Sequence, residues 1–578
     1  MNSHRWIAIG LLSLLVIIIV GNTMMASVPP VSRDALIHHL AIPKLFLQHG
    51  EMIEIPDIPF SYYPMNLDLL YLIPLVFGND IIPKYIHMLF GLFTGWLVFH
   101  YLKSRISVNY GLTGMLLWLS IPIVTRLSSE VYVDLGLAFF SFASLFQVIC
   151  WVNCGFLLRH LIYAAIFCGL ALGTKYNALL CLAVLSLMVP FLYSRFAPGL
   201  ESVRMTSSSI NTTATWQKKN PIKMDLEHSI RALKYAIYFV VIALVVFSPW
   251  MVRNVILKQN PIYPMMNRVF NPDEQKANDK WSRAASIVQQ TGNTLSMRRL
   301  VFKESFGYMA LIPIRIFFEG EDDDPRRFDG KLNPFLLFFL IAGLWGSKNC
   351  FYQLRVERWI WFSYSLLFLT IVIFTAPIRV RYLTPILPAI VILSIFGIYD
   401  IHNAIDRYKN SFIKYYSLIT ILFVMVMGMF LYNGNYYFER FRTVAPLTYL
   451  SGQVSRNNYI TQRRPEFPLV LYANAHLTTG DRILCLFIGQ RRYYFDRDVT
   501  FNEGLLLAAV RRATSPYQIM ANLKEENVTH LMIRIDLFTK WLSINMTSAE
   551  MEKLDVFWRM HMHKLKDNNG FALFALRE

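Results

Sequence analysis

Apolar runs close to 20 residues recur along this chain, each long enough as a helix to cross about 30 Å of hydrocarbon. They predict eleven spans, near residues 6–26, 82–102, 108–125, 132–152, 158–173, 176–195, 232–252, 333–347, 358–376, 382–400 and 413–432. Only Gly173, Thr174 and Lys175 separate the fifth from the sixth, and joining those two would invert the sidedness of everything after them. The start, Met1 to Arg5 and then an apolar run to about Val20, has the outline of a signal peptide with Ala26 near a cleavage position. Because so many spans follow, it is read as a retained first helix.

Between the spans the pattern changes. From Asp34 to Phe46, leucine and isoleucine recur at helical spacing among polar positions, which predicts an interfacial helix, and residues 66–78 predict a second. The stretch from Ala197 to Pro221, rich in serine and threonine, reads as a flexible loop. After Tyr432 apolar content falls. There Ile483–Ile488 and Thr529–Ile535 predict strands, Pro516–Glu526 and Ser548–Met560 predict helices, and Asn568-Asn569-Gly570 predicts a hairpin turn before Phe571–Leu576. No glycine-rich nucleotide loop occurs in this tail, so it is expected to shape or cover a site. The predicted architecture is an all-α polytopic membrane domain over residues 1–432, with interfacial helices in its first outer loop, and a soluble α/β domain over 433–578.

Charge assigns the sides. With the N-terminus inside, the inner loops hold Lys103 and Arg105; Arg159; Arg195, Arg204, Lys218, Lys219, Lys223, Arg231 and Lys234; Lys348, Arg355 and Arg358; and Arg407, Lys409 and Lys414. That is the excess of positive charge expected on the cytoplasmic side. The loop at 196–231 is then cytoplasmic, whereas 27–81, 253–332 and the tail lie outside. The 578 residues are 55% hydrophobic and 16% charged, which excludes an ordinary soluble enzyme. A net charge of +18 can signal nucleic acid, but here the cations sit in short loops and form no stripe, so no nucleic-acid partner is expected. The six cysteines show neither a disulfide framework nor zinc-ligand spacing.

Sidedness collects a constellation on the outer face: Asp34, Glu130 and Asp134 as carboxylates, with Lys175, Arg253, Arg379 and Arg381 as cations, the last beside Tyr382. Ionised groups near hydrocarbon are costly unless they have a partner or a task. A sugar transfer at the membrane needs these types: a carboxylate to take a proton, and cations to stabilise a departing lipid phosphate. Each also has a plainer reading. Asp34 can be a first-turn carboxylate, Glu130 and Asp134 can pair with Arg126, and the cations can anchor at the interface. His38 and His39, near His49 and Asp57, are weak metal candidates, since adjacent helical side chains diverge by about 100°. The sequons at Asn527 and Asn545 have no meaning in a bacterial host.

In order along the chain, Asp34 with His39-Leu40-Ala41-Ile42-Pro43-Lys44, Tyr132-x-Asp134, Gly173-Thr174-Lys175-Tyr176, Pro249-Trp250-x-x-Arg253-Asn254, Asn260-Pro261-x-Tyr263-Pro264 and Arg381-Tyr382-Leu383-x-Pro385 resemble the GT-C glycosyltransferases. The resemblance is strongest to glycosyltransferase family 39, the group of protein O-mannosyltransferases and the lipid A aminoarabinose transferase, and it covers the chain to about residue 400. It implies an enzyme of a bacterial inner membrane, a hexosyl- or pentosyltransferase using a polyprenyl-phosphate sugar, with a lipid, glycan or protein as acceptor. Asp34 would be the base of an inverting transfer, with Asp134 or Glu130 as a possible second acid, and Lys175, Arg253, Arg379, Arg381 and Tyr382 would hold the donor phosphate. That chemistry requires no cofactor, and a divalent metal is its weaker alternative. Protein mannosyltransferases carry an acidic pair in the first loop, whereas Ala35 follows Asp34 here, which favours a lipid or glycan acceptor. Two rivals stay open: a transporter or flippase for a lipid-linked glycan, against which no internal repeat is visible, and a transferase of whole oligosaccharides.

Overall fold

A computed structural model of the protein describes residues 2–204, 226–272 and 294–577. The serine-rich inner loop with Lys218, Lys219 and Lys223 lies mostly outside the described residues, as do residues 273–293 of the outer loop. The chain divides into two compact units. One comprises Met1–Ala26, Tyr62–Leu70 and Lys84–Val444; the other comprises Ser27–Ser61, Tyr71–Pro83 and Ala445–Glu578.

The first unit is helical, and a helix stands at each of the eleven predicted spans. Among the described residues, eight are long and apolar enough to cross a membrane: Arg5–Ala26, Ile82–Arg105, Asp134–Asn153, Ala178–Ala197, Leu226–Lys258, Tyr352–Thr375, Leu387–Asp406 and Phe412–Leu450. The third predicted span is a pair, Val108–Ser120 and Pro122–Ser128, bent by 67°. Pro122 has no N–H to continue the helical ladder, so the bend falls there. Leu158–Leu172 and Pro334–Gly346 are apolar but shorter. The tenth helix begins at Leu387 and not at Tyr382, because Val380–Leu383 winds as a 3-10 turn ahead of it, leaving Arg379 to Tyr382 off the spanning helix.

Small residues and buried amides hold these helices together. A Cβ added at Gly343 would strike the Leu393 carbonyl oxygen, and one at Gly397 would strike that of Phe339, so Pro334–Gly346 and Leu387–Asp406 meet backbone to backbone. Asn333 Nδ2 donates to Met429 O at 2.8 Å and to Asn433 Oδ1 at 2.7 Å, and Asn433 Nδ2 donates to Ser120 Oγ at 2.9 Å. At the far end of helix Asp134–Asn153, the Asn153 amide donates to the buried carboxylate of Glu357 at 2.7 Å. Glu357 also accepts from Arg105 Nε and Nη2 at 2.9 and 2.7 Å, and from Tyr101 Oη at 2.7 Å.

The second unit contains a mixed five-stranded sheet in the order β2-β1-β3-β5-β4, with β1 Arg482–Leu486, β2 Asp498–Thr500, β3 His530–Arg534, β4 Met562–Asn568 and β5 Phe571–Leu576. β2, β1 and β3 run parallel, and the β4–β5 hairpin closes antiparallel on β3. Alternate side chains enter two cores. Leu484, Leu486, Leu531 and Ile533 join helices Glu503–Arg512, Pro516–Glu525 and Ser548–His561, whereas Ile483, Cys485 and Met532 meet helix Phe467–His476. Burial on both faces is why β1 and β3 read as continuous apolar runs.

The first-loop segment is built into this same unit. Lys44 Nζ donates to Tyr493 O and Phe495 O, each at 2.9 Å, and pairs with Asp496 at 2.7 Å. Arg456 pairs with Asp80 at 2.5 Å, and the Tyr493 hydroxyl donates to the same carboxylate. Burial, and Asp80 beside them, push the phenols of Tyr493 and Tyr494 up, so both remain donors.

Candidate functional site

In the helical unit the predicted polar residues converge on Tyr382. Lys175 Nζ lies 5.4 Å from the centre of its ring, the Arg381 guanidinium 5.5 Å and that of Arg379 6.0 Å; Arg381 also lies 5.2 Å from the ring of Tyr132. Cations gathered round an aromatic face are favoured by its quadrupole, yet they repel one another, so the cluster needs negative charge near it. Asp134 supplies part. It opens helix Asp134–Asn153, is fully buried, and its Oδ1 accepts from Lys175 at 2.8 Å. Asp134 Oδ2 has no hydrogen-bond partner among the described residues.

Each element arrives at the cluster for a local reason. Lys175 sits on the turn between Leu158–Leu172 and Ala178–Arg204, where Gly173 O accepts from Asn66 N at 2.8 Å. A Cβ at Gly173 would collide with the Asn66 side chain, so this approach requires glycine. Trp250 Nε1 in turn donates to Asn66 Oδ1 at 2.8 Å. Asn254 Nδ2 donates to Tyr62 O at 2.9 Å and to the Tyr176 hydroxyl at 3.0 Å, and that hydroxyl donates to Tyr263 O at 3.0 Å. The motif residues Gly173, Tyr176, Trp250, Asn254 and Tyr263 therefore form a scaffold that positions Lys175. Arg253 belongs to the same helix, Leu226–Lys258, and is half-buried. The Tyr63 ring packs against Tyr176, with centroids 5.2 Å apart; burial, and Tyr382 nearby, push its hydroxyl up, so it stays protonated.

Two assignments made from the sequence change. Glu130 does not pair with Arg126; its carboxylate meets Arg440 at 2.5 Å. Arg126 instead faces Asp322 at 3.2 Å, Asp323 at 2.6 Å and Asp329 at 3.4 Å, and Arg379 shares Asp329 at 3.1 Å. The outer-loop acids take the pairings of Arg126 and Arg379, and periodicity near residue 130 carries no trace of them. His87 was also unforeseen. Leu135 N donates to its Nε2 at 2.9 Å, so Nδ1 carries a proton and donates to Leu127 O and Glu130 O, and the ring pins the start of the Asp134 helix.

Asp34 belongs to the second unit. It is half-buried and precedes the π-helical turn Ala35–His39, its carboxylate accepting no capping hydrogen bond from that turn; helix Ala41–His49 follows. The tail holds this segment on both sides of Asp34. Pro30 O accepts from the Tyr494 hydroxyl at 2.7 Å, Val31 O accepts from Arg464, and Leu36 O accepts from Tyr493 N at 3.1 Å. His38 stacks on Phe60, centroids 4.5 Å apart, and its ring lies 4.0 Å from that of His39. Among the described residues no three His, Cys, Asp or Glu side chains are grouped to hold a metal ion.

The multi-span helical unit and the small mixed α/β unit together have the GT-C fold, and the protein is an integral membrane protein. Among solved structures the chain is similar to ArnT from Cupriavidus metallidurans bound to undecaprenyl phosphate, with 13% identity, a TM-score of 0.53, and coverage of 99% of this chain and 98% of that one. It matches the same ArnT in the apo state with equal identity and TM-score, covering 100% and 98%. A looser likeness, TM-score 0.46 at 13% identity over 98% of this chain and 74% of the other, is to an Archaeoglobus fulgidus oligosaccharyltransferase tethered to an acceptor peptide. At 13% identity the ArnT similarity shows the fold alone. No protein-family model matches the chain, and no curated protein matches it.

Proposed function

We propose that this protein is a glycosyltransferase that moves a sugar from a polyprenyl-phosphate donor to an acceptor at the extracytoplasmic face. The observation that carries the reading is the gathering of Lys175, Arg379 and Arg381 round Tyr382 beside the buried Asp134. The ArnT of the same fold binds undecaprenyl phosphate, which supports a lipid phosphate as the donor's leaving group here. Arg381 and Lys175 stabilise the phosphate as charge builds on it, Arg381 through its planar pair of donors. Asp134 keeps Lys175 in place between turnovers, and Asp329 does the same for Arg379.

Asp34 acts as the base. Its carboxylate takes the proton of the acceptor hydroxyl or amine, the acceptor atom bonds to the anomeric carbon from the opposite face, and the carbon–oxygen bond to the phosphate breaks with its electron pair leaving on the lipid phosphate. The configuration inverts, and no metal is needed for charge balance. A lipid or glycan acceptor fits the single acid of the first loop. The test is transfer of radiolabelled sugar from polyprenyl phosphate in membranes holding equal amounts of native protein and Asp34→Asn. The variant is expected to fall by roughly 10²–10⁴-fold, the usual worth of a general base. Equal transfer by both forms excludes Asp34, and no transfer by either excludes the donor class.

A further inference from the structure

We infer that the helical unit carries a binding site for one acidic phospholipid, separate from the transfer site and independent of it. A groove of about 530 Å³ runs between helices Ala178–Arg204 and Tyr352–Thr375. Its length is lined by Leu187, Phe191, Trp359 and Leu367, and one end by Arg195 and Arg355. From Leu187 to Arg195 the helical rise is about 12 Å, and from Arg355 to Leu367 about 18 Å. These bracket the ~15 Å of hydrocarbon in one leaflet, so a single acyl chain fits the apolar part with its headgroup at the arginines.

Charge selects the occupant. Among the described residues no Asp or Glu lines the groove. Arg195 makes no hydrogen bond or ion pair among the described residues and only lies near the Phe196 ring, 5.7 Å from its centre. Arg355 is braced from behind, its Nε donating to Ser347 O at 2.9 Å and its Nη2 to Lys348 O, which leaves Nη1 without a protein acceptor among the described residues. Two guanidinium groups with no carboxylate between them among the described residues suit a phosphodiester of net negative charge, whereas a choline headgroup brings its own cation against them. Half-exposed Trp359 reports on the acyl chain from within the groove.

The experiment uses the full chain in phosphatidylcholine nanodiscs, into which phosphatidylglycerol or phosphatidylcholine with brominated acyl chains is titrated while tryptophan fluorescence is followed. The brominated phosphatidylglycerol is expected to reach half-quenching at a several-fold lower mole fraction. Arg195→Gln, whose parent side chain makes no polar bond among the described residues, is expected to abolish most of that preference, and Trp359→Phe to remove the selective part of the quench. Equal quenching by the two lipids, or a preference unchanged in both Arg195→Gln and Arg355→Gln, overturns the site.

Discussion

Helix Asp134–Asn153 meets a buried carboxylate at each end, and the two are treated oppositely. Glu357, reached by Asn153, is saturated: four donors from Arg105, Tyr101 and Asn153 engage both oxygens. Asp134, at the other end and equally buried, receives Lys175 on one oxygen and no hydrogen bond on the other among the described residues. Burying a charge is tolerable when its lone pairs are filled, and an unfilled one costs stability. The saturated end is a fastening. An end kept incomplete, beside cations crowded on one ring, fits a place where a further charged group enters.

The largest expected effect tests the fastening. Glu357→Gln faces three donor-bearing neighbours with an amide and leaves Arg105 without its carboxylate, so thermal unfolding in detergent should show a loss of about 3–5 kcal/mol. Transfer per folded molecule should be unchanged. Asp134→Asn is the matched change at the other end. Lys175 is partly exposed and can swing to the headgroups, so about 1–2 kcal/mol of stability is expected to go, while the KM for the lipid-phosphate donor changes markedly. A stability loss as large as that of Glu357→Gln, with donor handling intact, breaks the comparison. The smallest effect is Tyr101→Phe, which removes one of four donors from Glu357; about 0.5–1.5 kcal/mol is expected in the same melt, with no change in transfer.

The helical layout was legible because hydrocarbon thickness sets a length that hydropathy reports directly. What hydropathy did not carry was where helices stop short: the 3-10 turn before Leu387 is local backbone geometry, and the break at Pro122 is set by proline. Of the candidate site, Lys175 and Asp134, which the loop charges assign to one face, pair at 2.8 Å. Partners across long separations were not legible, since Arg440 answers Glu130 across 310 residues and Asp329 answers Arg379 across 50. Spacing near a charge carries no record of such a choice. In the tail, β1, β3 and the Asn568–Gly570 hairpin stood out, whereas the three-residue β2 is too short to show a period.

The tail's grip on the Asp34 segment has a consequence for how the protein is made. Lys44 and its partner Tyr493 are 449 residues apart, and Pro30 and Tyr494 are 464 apart. A ribosome adding roughly 5–20 residues each second needs on the order of 20–90 s to pass from one to the other. Throughout that interval the segment bearing Asp34 is synthesised but lacks the chain that will hold it. The candidate base therefore acquires its setting only when the last quarter of the polypeptide emerges, so under the role proposed for Asp34 a truncated or stalled chain can be fully inserted and still be catalytically silent.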